Sequence, residues 1–187
     1  DEPERYGIIG FKGDKVTQVI EKPAASDAPS DLRVVGIYLL TPEVLSIIKS
    51  LPLSQYQLEA GLDLAAKKGK LLHLEIKGEI PSLKYSWDIL KLKDILLGDS
   101  RFIDKTAFVH KTALIEGPCW IGPKAVVGAY CILRRGVILE EKAEVQRFME
   151  VKNSVIGQNS HLHSGYVGDS VIGENCRIGA GFITANR

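Results

Sequence analysis

Apolar and polar positions change their period near the middle of the chain. Between residues 103 and 151 an aliphatic side chain recurs at every sixth position, at Ile103, Val109, Ile115, Ile121, Val127, Leu133, Leu139, Val145 and Val151. Most are preceded, two positions earlier, by a small residue: Ala107, Ala113, Cys119, Ala125, Cys131 and Ala143. A six-residue repeat is typical of a parallel β-helix, in which short strands form the faces of a triangular coil. The pattern predicts this fold from about residue 101 onward.

The six-residue repeat slips once, after Val151, and resumes at Ile172, Ile178 and Thr184. The slip predicts an irregular segment or a loop, and such interruptions are common places for binding residues. An antiparallel sandwich is the alternative all-β fold, but it would need turn signals about every 8–12 residues. The regular spacing of six disfavours it.

The first 97 residues alternate strand and helix signals, which favours an α/β sheet. The predicted strands are Tyr6–Phe11, Val16–Glu21 and Leu71–Ile76, and the predicted helices begin at Thr41-Pro42-Glu43, Leu58 and Trp87. The turn at residues 12–14 joins the first two strands into a hairpin. A threonine cap before a proline starts the first helix, and Gly69 and Gly98 end the other two.

The charge, the apolar runs and the cysteines of the chain bear on which partners and which compartment are expected. The chain has 187 residues and a net charge of +1, so no long-range attraction to nucleic acid or an anionic membrane is expected. Apolar runs are too short to span a bilayer. Three cysteines without a CxxC pair predict a reducing compartment, the cytoplasm, and two of them lie at small core positions of the repeat. Because the chain lacks an initiating Met and ends inside a repeat, we expect it to be a fragment.

Two groups of motifs resemble one family. Residues 5–7 (RYG), 21–23 (EKP), 36–38 (GIY) and 85–90 (YSWDIL) resemble, in the same order, blocks of the sugar-nucleotide pyrophosphorylases that carry a C-terminal hexapeptide helix. Residues 150–154 (EVKNS), 163–169 (HSGYVGD) and 178–186 (IGAGFITAN) resemble the acetyltransferase half of the bifunctional N-acetylglucosamine-1-phosphate uridylyltransferases/glucosamine-1-phosphate acetyltransferases, especially the archaeal type. The resemblance covers nearly the whole chain.

The resemblance implies a fold and an activity. Residues 1–98 would be the C-terminal part of a Rossmann-like α/β nucleotidyltransferase domain, and residues 99–187 a left-handed parallel β-helix truncated at its C-terminus. The substrates would be a sugar 1-phosphate, a nucleoside triphosphate and acetyl-CoA, with Mg²⁺ for nucleotidyl transfer. The β-helix would form a homotrimer.

In the first domain, the resemblance implies that Gly7, Glu21 and Lys22 contact the sugar phosphate. The family's glycine-rich phosphate loop does not occur in this sequence, so we expect no nucleotidyl transfer from this polypeptide and assign no metal ligand. Ser82 stands at the position of a family aspartate near the metal, and Val34 replaces an asparagine. Asp88 is expected to be an acid of a first helical turn, with a metal ligand as the alternative.

In the second domain, the resemblance implies that His163 is the acetyl-transfer base, because it lies three residues before Tyr166, and His161 is its competitor. Arg134 and Lys152 match the phosphate-binding pair. Their separation of 18 residues is one coil of three hexads, so both charges would point to the same place. Further predicted substrate or acetyl-CoA contacts are Tyr166 and Asn186, while Arg177 and Phe182 depart from the bacterial pattern.

Two further functions stay open from the sequence. The chain could be a nucleotidylyltransferase, for example of the glucose-1-phosphate thymidylyltransferase type, with a purely structural β-helix. It could also be a degraded paralogue that serves as a scaffold or regulatory subunit. Ser82 and Val34 favour the scaffold, and the set of His163, Arg134 and Lys152 favours the bifunctional enzyme.

Overall fold

The computed structural model describes residues 2–78 and 80–184, which form two compact units that divide between Ile80 and Pro81. In the part of the chain that is described, no helix combines the length and the apolar character needed to cross a membrane.

The first unit consists of a β-hairpin, two α-helices and connecting segments. Its elements are a 3-10 helix at Pro3–Arg5, β1 at Gly7–Lys12, β2 at Lys15–Glu21, a 3-10 helix at Ala25–Asp27, α1 at Pro42–Lys49 and α2 at Gln57–Lys67. The two strands pair antiparallel around Gly13, whose φ of +55° suits glycine in a tight turn. The hairpin and both helices bury a common core of Val16, Val19, Val44, Leu62, Ala65 and Ala66.

The helix signals of the first unit are confirmed. The Thr41 hydroxyl accepts a hydrogen bond from the Val44 amide at 3.4 Å, as an N-cap does. Gly69, just after α2, has a φ of +67°, which ends the helix in the left-handed conformation. Gly61 on α2 allows the close approach of α1, because a Cβ there would lie 2.6 Å from a side-chain carbon of Ile48.

The predicted strand at Leu71–Ile76 is wrong. Only a single antiparallel bridge forms here, between Lys15 and Leu72. It is flanked by two backbone hydrogen bonds, from the Val16 amide to the Leu71 carbonyl and from the His73 amide to the Asp14 carbonyl. The neighbouring strand β2 begins at Lys15, so the segment has no further partner within residues 2–78. Leu72 and Leu74 are therefore 71% and 90% exposed.

The second unit begins with α3, Asp88–Leu97, and continues as stacked short strands. These are β3 Arg101–Ile103, β4 Phe108–Val109, β5 Leu114–Ile115, β6 Cys119–Ile121, β7 Val126–Val127, β8 Ile132–Leu133, β9 Val137–Leu139, β10 Glu144–Val145, β11 Met149–Lys152, β12 Val155–Ile156, β13 His161–Gly168, β14 Val171–Ile172 and β15 Arg177–Ile183. Each strand pairs in parallel with the strand one coil earlier or later. One face alone stacks five strands, β3, β6, β9, β12 and β14, so the β-helix has about five coils.

The hexad positions fill the interior of the coil as predicted. From Ile121 to Val151 every sixth residue is fully buried, together with the small residues Cys119 and Cys131. Burial raises the pKa of both thiols, which is consistent with inert core residues. Ile103 departs from the pattern: it is 39% exposed, because β3 pairs on one side only, with β6.

After Val151 the chain stays in the coil, so the predicted loop is wrong, whereas the predicted irregularity is present as a register shift between Ser164 and Gly165 of β13. One coil takes 18 residues where Val127 pairs with Val145, 17 where Val145 pairs with Leu162, and 16 where Val151 pairs with Val167. Leu162 and Val167 remain fully buried. Because these coils are one or two residues shorter, the buried positions no longer fall at every sixth residue, although the strands continue to stack on one another.

The predicted fold class is confirmed: an α/β unit is followed by a parallel β-helix. The left hand of the coil remains what the family resemblance implies. Helix α3 belongs to the same compact unit as the β-helix, with Leu97 buried. A domain boundary at residues 98 and 99 stays a prediction.

Candidate functional site

Arg134 and Lys152 follow two strands that are stacked one coil apart. Leu133 of β8 pairs with Val151 of β11, and the Arg134 amide donates to the Val151 carbonyl at 2.8 Å. The two basic residues thus occupy equivalent positions on consecutive coils, as the spacing of 18 predicts. Both side chains are about half exposed, so both can reach an anion in solvent.

Each of these cations has a carboxylate neighbour that the sequence analysis missed. The Nε of Arg134 donates to Oε1 of Glu150 at 2.5 Å, and this hydrogen bond raises the pKa of Arg134. The Nζ of Lys152 lies 4.0 Å from Oδ2 of Asp169. Because Glu150 occupies only the Nε of Arg134, the two terminal NH₂ groups of the guanidinium stay oriented for a bidentate contact with a phosphate.

The long strand β13 carries two more predicted site residues past this pair. Its first part pairs with β10 and its second part with β11, where Tyr166 lies beside Glu150 and Gly168 beside Lys152. The Tyr166 ring covers Gly168, since a Cβ at that glycine would lie 2.3 Å from the phenol oxygen. This strand therefore places Tyr166 on the face that holds Lys152. His163 lies three residues earlier on the same strand, between the part that pairs with β10 and the part that pairs with β11.

The two histidines of β13 have different surroundings. The Nδ1 of His161 lies 3.1 Å from Oε2 of Glu144, and the same oxygen accepts a hydrogen bond from Gln146 at 3.0 Å. His163 is exposed, and among residues 2–78 and 80–184 its imidazole has no hydrogen bond, ion pair or ring contact. His161 is thus engaged within the coil, whereas His163 is available to a ligand.

Three further residues were singled out by the sequence for this site: Asn186, Arg177 and Phe182. Asn186 lies outside the described residues. Arg177 pairs in register with His161, and its guanidinium donates to the Asn159 carbonyl at 2.9 Å. Phe182 packs its backbone against Gly165, where a Cβ would lie 2.0 Å from the Phe182 oxygen.

In the first unit, the structure brings together the three residues predicted to meet a sugar phosphate. Gly7 of β1 pairs with Glu21 of β2, and a Cβ at Gly7 would lie 3.0 Å from Oε2 of Glu21. Lys22 follows with a φ of +50°, and its Nζ lies 3.9 Å from Oε1 of Glu21 and 3.5 Å from the Tyr56 hydroxyl. Val34 packs on the same side, with its amide bonded to the Gly7 carbonyl at 2.8 Å.

Two tyrosines join this cluster, and the sequence analysis did not assign them. Partial burial raises the pKa of Tyr38, and the nearby carboxylates of Glu59 and Glu21 raise it further. Tyr56 lies under the Lys22 ammonium, 5.4 Å from the ring centroid. Tyr38 belongs to the GIY block, so that motif was the signal that could have located it.

Asp88 stabilises the start of α3, as predicted for an acid of the first helical turn. One of its carboxylate oxygens accepts hydrogen bonds at 2.8 Å from the backbone amides of Lys84 and Tyr85, in the turn just before α3. Among residues 2–78 and 80–184, no three His, Cys, Asp or Glu side chains form a group that could hold a metal ion.

Comparisons with known protein families agree with this two-part organisation. Residues 1–84 match the family model described as Nucleotidyl transferase, and residues 97–186 match the one described as GMPPB C-terminal domain. The first match thus covers the segment that precedes the β-helix, and the second covers the β-helix itself. The resemblance inferred from the sequence motifs is confirmed.

The relatives found among single proteins have names that describe bifunctional proteins. The chain is 31% identical, over its full length, to the Bifunctional protein GlmU of Methanococcus maripaludis, of which it covers 51%. It is 30% identical, over 98% of its length, to the Bifunctional sugar-1-phosphate nucleotidylyltransferase/acetyltransferase of Sulfurisphaera tokodaii, again covering 51%. It is 52% identical, over 51% of its length, to the Bifunctional protein GlmU of Pseudarthrobacter chlorophenolicus, covering 18%. The chain spans about half the length of the first two relatives.

Proposed function

We propose that the whole protein is a sugar-1-phosphate nucleotidylyltransferase fused to a sugar-phosphate N-acetyltransferase, and that the β-helix carries the acetyltransferase site. The observation that carries this proposal is the stacking of Arg134 and Lys152 one coil apart. Two cations at equivalent positions of consecutive coils suit a phosphate, and an exposed histidine on β13, the strand that pairs with β11, suits an amine that must lose a proton. Acetyl-CoA is the proposed co-substrate.

In the proposed reaction, Arg134 and Lys152 bind the phosphate of glucosamine 1-phosphate, and Tyr166 lines the sugar. The 2-amine attacks the thioester carbonyl of acetyl-CoA. A C–N bond forms and the C–S bond breaks, while His163 removes the amine proton and returns it to the departing thiolate. A histidine suits both steps because its ordinary pKa lies near neutrality.

A second candidate for the base is His161, favoured by its contact with Glu144. A carboxylate that fixes one ring nitrogen orients an imidazole for proton transfer. Spacing favours His163 instead, because it is three residues from Tyr166 and carries no competing contact among the described residues. The two assignments predict opposite mutant behaviour.

Alanine variants of the two histidines test the assignment. We expect His163→Ala to lower kcat for acetyl transfer by at least about a hundredfold, the usual range for a lost general base, with KM nearly unchanged. His161→Ala should stay within a few-fold of the parent protein. The reverse order would make His161 the base, and equal small losses would contradict a histidine base altogether.

For the first unit, we propose that Gly7, Glu21 and Lys22 bind the sugar 1-phosphate substrate of nucleotidyl transfer. Their adjacency in the hairpin supports this role. Mg²⁺ would assist nucleotidyl transfer in the whole protein, but we assign no ligand to it. The cytoplasmic location remains a prediction.

The proposed assembly is a homotrimer formed through the β-helix. Exposed aromatic side chains on its outer surface, such as the stacked pair Tyr130 and Phe148 with ring centroids 5.4 Å apart, provide apolar area for such a contact. Light scattering at micromolar concentration should give three times the chain mass. A monomer under those conditions would count against the trimer.

A further inference from the structure

A lysine is buried next to the proposed phosphate site, and the proposed reaction does not use it. Lys93 on α3 is only 3% exposed. Lysine is almost never fully buried unless its charge is paired. Its Nζ contacts the Asp94 carboxylate and donates to Oδ1 of Asn153 at 2.7 Å.

The buried ammonium fixes which way the Asn153 amide points. An ammonium group has only donors, so the amide must turn its oxygen toward Lys93. The Nδ2 of Asn153 then points to the opposite side, where it donates to Oδ1 of Asp169 at 2.5 Å. Without the cation, the amide could rotate and present an oxygen to the carboxylate.

Asp169 in turn lies beside the proposed phosphate-binding lysine. Its second oxygen, Oδ2, is 4.0 Å from the Nζ of Lys152, and its amide donates to the Lys152 carbonyl at 3.0 Å. Asp169 and Asn153 both have left-handed backbone, with φ of +47° and +42°, at the same corner of consecutive coils. The corner geometry therefore holds the amide and the carboxylate in contact.

We propose that Lys93, Asn153 and Asp169 are positioning residues for Lys152. The chain of contacts runs from a buried cation through an oriented amide and a carboxylate to the cation that binds the sugar phosphate. This inference rests on the proposed function, because it assumes that Lys152 contacts the substrate. Its effect is to hold a flexible lysine side chain at the place where the phosphate of the sugar binds, in register with Arg134.

Steady-state kinetics of acetyl transfer tests the chain of contacts. Asp169→Asn keeps the shape of the side chain but removes the charge beside Lys152. We expect KM for glucosamine 1-phosphate to rise by about fivefold, the upper range for an exposed ion pair, with kcat within about twofold. Lys93→Met, which removes the buried ammonium, should shift KM in the same direction. A KM within about 1.5-fold of the parent value in both variants, at the lower end of the range for an exposed ion pair, would overturn the inference.

A matched control separates positioning from stability. Asn159 lies at another corner of the coil, with a φ of +56°, and donates to Asn175 one coil later at 2.8 Å. Asn153→Ala and Asn159→Ala each remove a side-chain hydrogen bond to the next coil, and both residues have the left-handed backbone conformation. Only Asn153→Ala should raise KM. An equal rise in both variants would mean that the contacts act through stability alone.

A double-mutant comparison shows whether the effect passes through Lys152. In a Lys152→Met background, Lys93→Met and Asp169→Asn should no longer change KM. Effects that multiply with that of Lys152→Met would contradict the positioning role. If Lys152→Met alone leaves KM unchanged, the proposed phosphate site itself fails. If it raises KM while the other variants do not, only the positioning chain fails.

Discussion

The two units differ in how completely they bury their own apolar residues. In the β-helix each strand finds its partner one coil away, so the inward residues from Ile121 to Val167 are almost fully enclosed. In the first unit, apolar segments around Ile37–Leu40 and Leu71–Ile76 remain largely exposed, and Leu39 is fully so. Within residues 2–78 these segments have no strand beside them except the bridge at Leu72.

This difference reflects how far apart in the sequence the contacting strands lie in each fold. A β-helix is nearly one-dimensional, because every coil packs only against its neighbours. An α/β sheet needs strands that are far apart in sequence, and its apolar runs stay uncovered until those strands pair. The β-helix therefore carries its own core, and the first unit depends more on the small core around α1, α2 and the hairpin.

The largest expected effect comes from a core position of the coil. Leu133 is fully buried, so Leu133→Ala should destabilise the β-helix by about 2–5 kcal/mol through lost burial and the cavity left behind. Leu39→Ala is the matched change in the first unit and should stay within about 0.5 kcal/mol. Urea denaturation measures both. Similar losses in the two variants would contradict the comparison.

The sequence predicted the β-helix because its repeat is local. The same periodicity placed Arg134 and Lys152 on consecutive coils, which the structure confirms. Cap residues such as Thr41 located the helices, since capping depends on neighbours a few positions away. The segment at Leu71–Ile76 depends instead on tertiary pairing. Its apolar pattern predicted a strand, but with only one bridge to β2 it does not form one.

Changes in coil length could not be predicted from the aliphatic pattern. Steps shorter than six residues resemble a break in the repeat, so the segment after Val151 was expected to be irregular. The shortened coil also sets which side chains stack at the corners. Asp169 contacts Asn153 because that coil takes 16 residues. With 18 residues per coil, the position above Asn153 would have been Val171, and Asp169 would not have stacked on Asn153.

The next effect tests the corner of β13, where the strand passes from one face to another. Gly165 has a φ of +132°, and a Cβ there would lie 2.0 Å from the Phe182 oxygen. We expect Gly165→Ala to cost about 1–3 kcal/mol, because strained backbone adds to the clash. Gly179→Ala, where nothing lies within 4 Å, is the control and should be nearly neutral. Equal thermal stability of the two variants would mean that the corner adjusts freely.

The smallest expected effect lies in the first unit, where the N-cap of α1 should contribute to the stability of that helix. Thr41→Ala removes the cap of α1 and should cost about 1 kcal/mol of local stability. Hydrogen exchange of the Val44 amide should accelerate accordingly. Ser46→Ala, in the same helix, removes only a bond to the Pro42 carbonyl and should leave that exchange nearly unchanged. Faster exchange in Ser46→Ala than in Thr41→Ala would contradict the capping role.

The central claim is that the chemistry of this chain lies in the β-helix. The most direct measurement incubates the purified chain with glucosamine 1-phosphate, acetyl-CoA and a nucleoside triphosphate with Mg²⁺, and follows both possible products by mass spectrometry. We expect the N-acetylated sugar phosphate to form, and to disappear in His163→Ala, while no pyrophosphate is released. Pyrophosphate release without acetylated product would contradict the claim and place the active site in the first unit.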